Sequence, residues 1–146
     1  MAKTSELEAA YRATTYRVFL PGGGCDLRVG VASETLRCWL ETAGAERFAI
    51  LTAYNPGSHL APDADNALRQ SQLECALLER GYETYAGQNL ADDEQWPAEE
   101  SCFVADMTVA EALAVGARFG QCAVICGGAD GQPELLWTGE PPATTS

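Results

Sequence analysis

The stretch "RFAILTAY", residues 47–54, constrains the fold of this chain more than any other. Its apolar residues do not alternate with polar ones, so a strand built from it needs cover on both faces. Such a strand belongs inside a sheet that carries further layers on each side. At 146 residues the chain is long enough for one domain with a full core and short for two.

The flanking sequence supplies the layers. Upstream, "ASETLRCWLETAGA" (32–45) predicts a helix, with Ser33 as N-cap, Glu34 in the first turn and Gly44 as the stop. Leu36, Trp39, Leu40 and Ala43 give it one apolar face. Downstream, "PDADNALRQSQLECALLERG" (62–81) predicts a second helix, capped by Asp63 or Asp65 and ended by Gly81. Leu68, Cys75 and Leu78 mark its buried side, widened by Leu73, Ala76 and Leu77. In "TVAEALAVGARFG" (108–120), Thr108 and Glu111 form a capping box, Met107 staples onto Ala112, and Gly120 is the stop. A short opening helix is expected from Ser5 and Glu8, spaced as another capping box.

Strands are predicted in "TYRVFL" (15–20) and "LRVGV" (27–31), joined through the turn "PGGGCD" as a hairpin. Others are "YETYAGQNL" (82–90), "SCFVADM" (101–107), "QCAVIC" (121–126) and "PELLW" (133–137). Pro133 lacks an N–H and places the last at an edge. The fold class is therefore α/β (α+β): a single domain over residues 1–137, with a mixed sheet of about six or seven strands and three main helices packed on it. Residues 138–146 are expected to form a disordered tail.

Composition excludes several functions. The formal net charge is −12, with one Lys and eight scattered Arg, so neither a nucleic-acid backbone nor an anionic membrane is an expected partner. The opening residues lack the apolar run of a signal peptide, and no stretch is long enough to span a bilayer, so a cytoplasmic location is expected. The six Cys contain no C-x-x-C pair and read as free thiols packed as small hydrophobes. No metal site or cofactor signature is present: "GGGCD" precedes no helix, and neither a P-loop nor a nucleophile elbow occurs.

The chemistry concentrates where "AILTAYNPGSH" (49–59) passes from strand to loop. Ligands gather outside the carboxyl ends of strands in open α/β sheets. Thr52, Tyr54 and Asn55 offer hydroxyl and amide groups there, and Asn66 lies in the first turn of the following helix. The competing reading is an Asn-Pro-Gly turn whose side chain bonds its own backbone. His59, the only histidine, sits on this loop with no orienting partner in sequence. The acidic loop "ADDEQWPAEES" (91–101) ends in Glu99 and Glu100, held near structure by Trp96-Pro97 and the next strand. An inward carboxylate there is a candidate acid, base or ligand anchor. Gln121, after the Gly120 stop, is placed to point into the same site.

These pieces form a pattern: "Y..T.Y.V" (Tyr11, Thr14 or Thr15, Tyr16, Val18), "TAYNP.S" (Thr52 to Pro56, Ser58), Asn66, "WP.E.S" (Trp96, Pro97, Glu99, Ser101) and "RFGQ.A" (Arg118 to Gln121, Ala123). The pattern resembles a bacterial family catalogued only as a domain of unknown function, number three-two-nine-three, over roughly residues 9 to 137. The resemblance implies a small stand-alone domain whose marked polar positions are Thr52, Tyr54, Asn55, Asn66, Glu99 and Gln121. It implies no activity, cofactor or partner, and it leaves out His59 and the Cys residues.

Two functions follow as expectations. One is a pocket for a small polar ligand, enzymatic through proton transfer or hydrolysis, with Glu99 as the catalytic group and Thr52, Tyr54, Asn55, Asn66 and Gln121 binding. The other is an acidic interaction module or homodimer without catalysis.

Overall fold

The computed structural model describes residues 2–139, with side chains from residue 5 onward. Its elements run α1 (Ala2–Arg12), β1 (Thr14–Leu20), β2 (Gly23–Leu27), α2 (Glu34–Ala43), β3 (Arg47–Leu51), a single 3-10 turn (Pro56–Ser58), α3 (Asp63–Glu79), β4 (Thr84–Ala91), β5 (Glu99–Ala105), α4 (Val109–Arg118), β6 (Ala123–Gly128) and β7 (Glu134–Trp137). The seven strands form one sheet in the order β2-β1-β4-β5-β3-β6-β7. The molecule is a single α+β domain.

Every pairing in the sheet is antiparallel, where a mixed sheet was expected. The crossovers explain the difference. Helix α3 joins β3 to β4, which run the same way, but β5 lies between them running oppositely. Helix α4 likewise joins β5 to β6 across β3. Each β-α-β unit is present, and each has an antiparallel strand inserted between its two strands.

Strand β3 lies inside the sheet, between β5 and β6, and is covered on both faces. Phe48 and Ile50 enter a core with Leu36 and Leu40 of α2, while Ala49 and Leu51 enter another with Leu73 and Leu77 of α3 and Val115 of α4. The first core is aromatic: Phe48 stacks on Phe103 at 5.5 Å, and Trp39 meets Phe103 edge-on. The N-caps of α2 and α4 form at the expected residues: Ser33 accepts from the Leu36 N–H, Thr108 from the Glu111 N–H, and Gly44 takes φ +72°; the second half of the α4 capping box is absent, because the Glu111 carboxylate accepts from the Tyr82 O–H instead.

Several expectations are corrected. Ser5 lies inside α1 and does not cap it. Strand β2 begins at Gly23, not Leu27, because the chain reverses within Pro21-Gly22 and the glycines pair with β1. A Cβ on Gly24 would come 3.0 Å from the Val18 carbonyl oxygen, so that close pairing favours glycine. Residues Arg28 and Val31 retain only an isolated bridge. The N-cap of α3 is Pro62, with Asp63 and Asp65 in its first turn. Its inner face keeps Leu73, Ala76 and Leu77 as expected, but Leu68 and Leu78 are 60% and 63% exposed and Cys75 is exposed, and Asn66 and Gln70 are buried in their place. Of the cysteines, only Cys102 and Cys126 are buried, where burial pushes their thiols up to about 12 and about 11. Thr138, placed in the expected tail, bonds the Gln121 and Cys122 carbonyls. Residues 140–146 of that tail lie outside the described residues.

Candidate functional site

Both neighbours of β3 run opposite to it, so β5 and β6 begin where β3 ends. That arrangement brings the loop after Leu51 against Glu99, the first residue of β5, and against Gln121, two residues before β6. A cavity of about 280 Å³ lies at this corner, roofed by α1 through Leu7, Ala10 and Tyr11. Thr52, Tyr54, Asn55, Glu99 and Gln121 all line it.

Asn55 is the centre of the site. Its Nδ2 donates to Glu99 Oε2 at 2.8 Å. Its Oδ1 accepts from the Ala61 N–H and from Asn66 Nδ2, both at 2.9 Å. Its own N–H donates to Asn66 Oδ1 at 2.8 Å. Asn55 is 3% exposed and has φ +49°, a conformation asparagine tolerates better than most residues. The turn reading of "NPG" is therefore incomplete, since the Asn55 side chain reaches across the chain to β5 and α3. Asn66 does not line the cavity; it holds Asn55 from behind. Gln70, one turn further along α3, accepts from the Ala53 N–H at 2.9 Å. The polar face of α3 thus serves the main chain leaving β3, whose N–H groups have run out of sheet partners.

The remaining expected residues are fixed by the backbone around them. Thr52 Oγ1 donates to the Glu100 carbonyl at 2.6 Å and accepts from the Tyr54 N–H at 3.1 Å. Tyr54 O–H donates to Glu100 Oε2 at 3.1 Å, and burial followed by that carboxylate raises its phenol above the ordinary value. Gln121 Nε2 donates to the Tyr54 carbonyl at 2.9 Å. The two loops are tied by the Gly57 N–H on the Gly120 carbonyl at 2.8 Å. Gly120 has φ +74°, and a Cβ there would stand 2.9 Å from Pro56 Cβ.

Glu99 is half-buried. Its Oε2 also accepts from Trp96 Nε1 at 3.2 Å, so one oxygen takes two donors and the carboxylate is held in one orientation. The Glu99 pair therefore splits as Glu99 inward and Glu100 exposed.

The lining also holds Tyr11, Tyr16 and Asn89, which are not among the residues expected at the site. Tyr11 closes the roof, and its phenol is pushed up to about 12 by burial, with the Cys122 thiol and Glu99 adding to the rise. Tyr16 donates to the Tyr11 carbonyl at 3.1 Å, and its phenol too is raised by burial. Asn89 stands in register between Tyr16 and Glu99 on adjacent strands. Its signal was present in "YETYAGQNL", where the alternation puts Asn89 on the face of Tyr85, an inward position occupied by an amide. His59 is exposed and does not line the cavity. Among the described residues, no group of three or more His, Cys, Asp or Glu is placed to hold a metal ion. No helix among them is long and apolar enough to cross a membrane.

Fold and corner together define a small antiparallel α+β domain with an amide–carboxylate cluster where its central strand ends. The chain belongs to the family described as protein of unknown function (DUF3293), which matches residues 51–124. The match runs from the last residue of β3 into β6, so it takes in Thr52, Tyr54, Asn55, Asn66, Glu99 and Gln121, while α1 and β1 lie outside it. No curated protein and no solved structure matches the chain.

Proposed function

We propose that this corner is a small-molecule binding site and that its chemistry is proton transfer to or from the bound molecule, including hydrolysis through a held water, with Glu99 as acid or base. The supporting observation is the joint presence of Asn55, Glu99 and Gln121 at one cavity, although they lie 44 and 66 residues apart from Asn55 in the chain. Thr52, Tyr54, Asn55 and Gln121 orient the ligand, and Asn66 keeps Asn55 in place. A cavity of about 280 Å³ suits a compact metabolite. The interaction-module reading draws less support, because the exposed large apolar side chains among the described residues are spread over β1, α3, α4 and two loops.

The test is a thermal-shift screen of metabolites on wild type and on Ala91→Phe, which fills the cavity from β4 without removing a hydrogen-bonding side chain. A ligand at a hundred times its Kd stabilises by about 2.7 kcal/mol. Hits that shift wild type and leave Ala91→Phe unmoved are expected. Hits that shift both equally would refute the site.

A further inference from the structure

We infer that the ligand of this pocket is a small organic cation, an amine or amidine carried on an apolar or aromatic body; the inference rests on the binding role proposed above. The pocket's charge is one-sided. Glu99 and, at the rim, Asp93 line it, and none of its described lining residues is Lys, Arg or His. The five ion pairs among the described residues use other carboxylates, so no cation among those residues pairs with Glu99. A carboxylate half out of water with no cation beside it calls for a positive partner.

The hydrogen-bonding capacity is one-sided too. Both protein donors to Glu99 converge on Oε2, and among the described residues none reaches Oε1. Directly across the β4–β5 pairing, Asn89 Oδ1 is buried at the cavity without a donor. Opposed residues of such a pair hold their Cβ atoms about 5 Å apart. Two acceptors, one of them charged, therefore stand side by side and open to the same space. The group that completes both is a charged nitrogen bearing at least two N–H bonds, which a primary ammonium or an amidinium supplies and an alcohol or a carboxylate does not. Around this point the wall is aromatic, from Tyr11, Tyr16, Tyr54 and Trp96, a lining that favours cations and also covers an apolar body. The overall charge of −12 draws cations toward the molecule and repels anions.

The experiment is calorimetric titration of the full chain with benzylamine, tyramine and agmatine. Neutral and anionic counterparts of the first two, benzyl alcohol, 4-(2-hydroxyethyl)phenol and benzoate, are titrated alongside. Glu99→Gln keeps the shape of the site and Asn89→Leu removes the second acceptor; melting curves establish that each variant is folded. The expected result is that at least one amine binds wild type ten or more times tighter than its neutral counterpart. Glu99→Gln should abolish that preference, Asn89→Leu should weaken the amine severalfold, and Ala91→Phe should bind none of the probes. Neutral or anionic probes that bind as well as the amines, and are lost in Ala91→Phe, overturn the cation class while leaving the pocket standing. Binding that survives Ala91→Phe, or no binding by any probe, overturns both.

Discussion

Strands β3, β4 and β5 each carry an aromatic and a polar region on the same face, only four residues apart. On β5 the inward residues run Phe103, Ser101, Glu99; on β4, Tyr85, Gly87, Asn89; on β3 and just beyond it, Phe48, Ile50, Thr52. At the first end Phe48 and Phe103 stack, fully buried, and Trp39 of α2 meets Phe103 edge-on. At the other, the same face opens into the cavity beneath α1. Between them Gly87 lies against Ser101, where a Cβ would stand 2.6 Å from Ser101 Oγ. One sheet face is thus packed for stability at one end and left unfilled at the other. The lesson is that a period-of-two pattern identifies a face but not how far along it the core extends.

This contrast can be broken by measurement. Phe103→Ala should cost about 3–5 kcal/mol in urea unfolding, because Phe103 is wholly buried and its neighbours are rings that collapse poorly. A loss under about 1 kcal/mol would mean the packed end is not a rigid core.

Asn66→Ala should cost about 2–3 kcal/mol by the same measurement, since it strips the Asn55 N–H and Oδ1 of buried partners. An equal loss of ligand-induced shift would accompany it if Asn66 positions Asn55; unchanged ligand response would confine its role to folding.

Alkaline pH probes the roof. Burial pushes the Tyr11 phenol up to about 12 from its ordinary 10.0, so the folded state holds its proton longer. Stability is fully present below pH 10 and declines as pH rises through 10 to 12, by about 2 kcal/mol from Tyr11. Tyr11→Phe should make that decline shallower in circular-dichroism titrations, leaving the share of the other raised groups, Tyr82 and Cys102 among them. An unchanged profile would show the roof to be open to solvent.

The smallest effect on stability is expected from Glu99→Gln, under about 1 kcal/mol, because an amide fits the same space at a half-exposed position. A cost matching that of Phe103→Ala would make the two ends a single core and remove the contrast.

Much of the architecture is legible in short stretches. Ser33 and Thr108 cap their helices as predicted, "RFAIL" is buried on both faces, and "PELLW" lies at an edge. The failures share a cause. Leu68 and Leu78 looked inward by hydropathy, but the inner face of α3 was decided by backbone groups at the end of β3 that needed the amides of Asn66 and Gln70. Asn89 and Tyr11 went unnoticed as site residues because their meaning depends on which strand and helix lie opposite.

What the sequence determined by itself is the set and order of its elements, since caps, turns and periodicity act within about a dozen residues. Only the tertiary structure decided that β3 would lie between β5 and β6, antiparallel to both. Strand neighbours are chosen by burial summed over the whole sheet, which no local stretch encodes. That choice alone sets the starts of two strands beside the end of a third, and so brings Glu99 and Gln121 to Asn55.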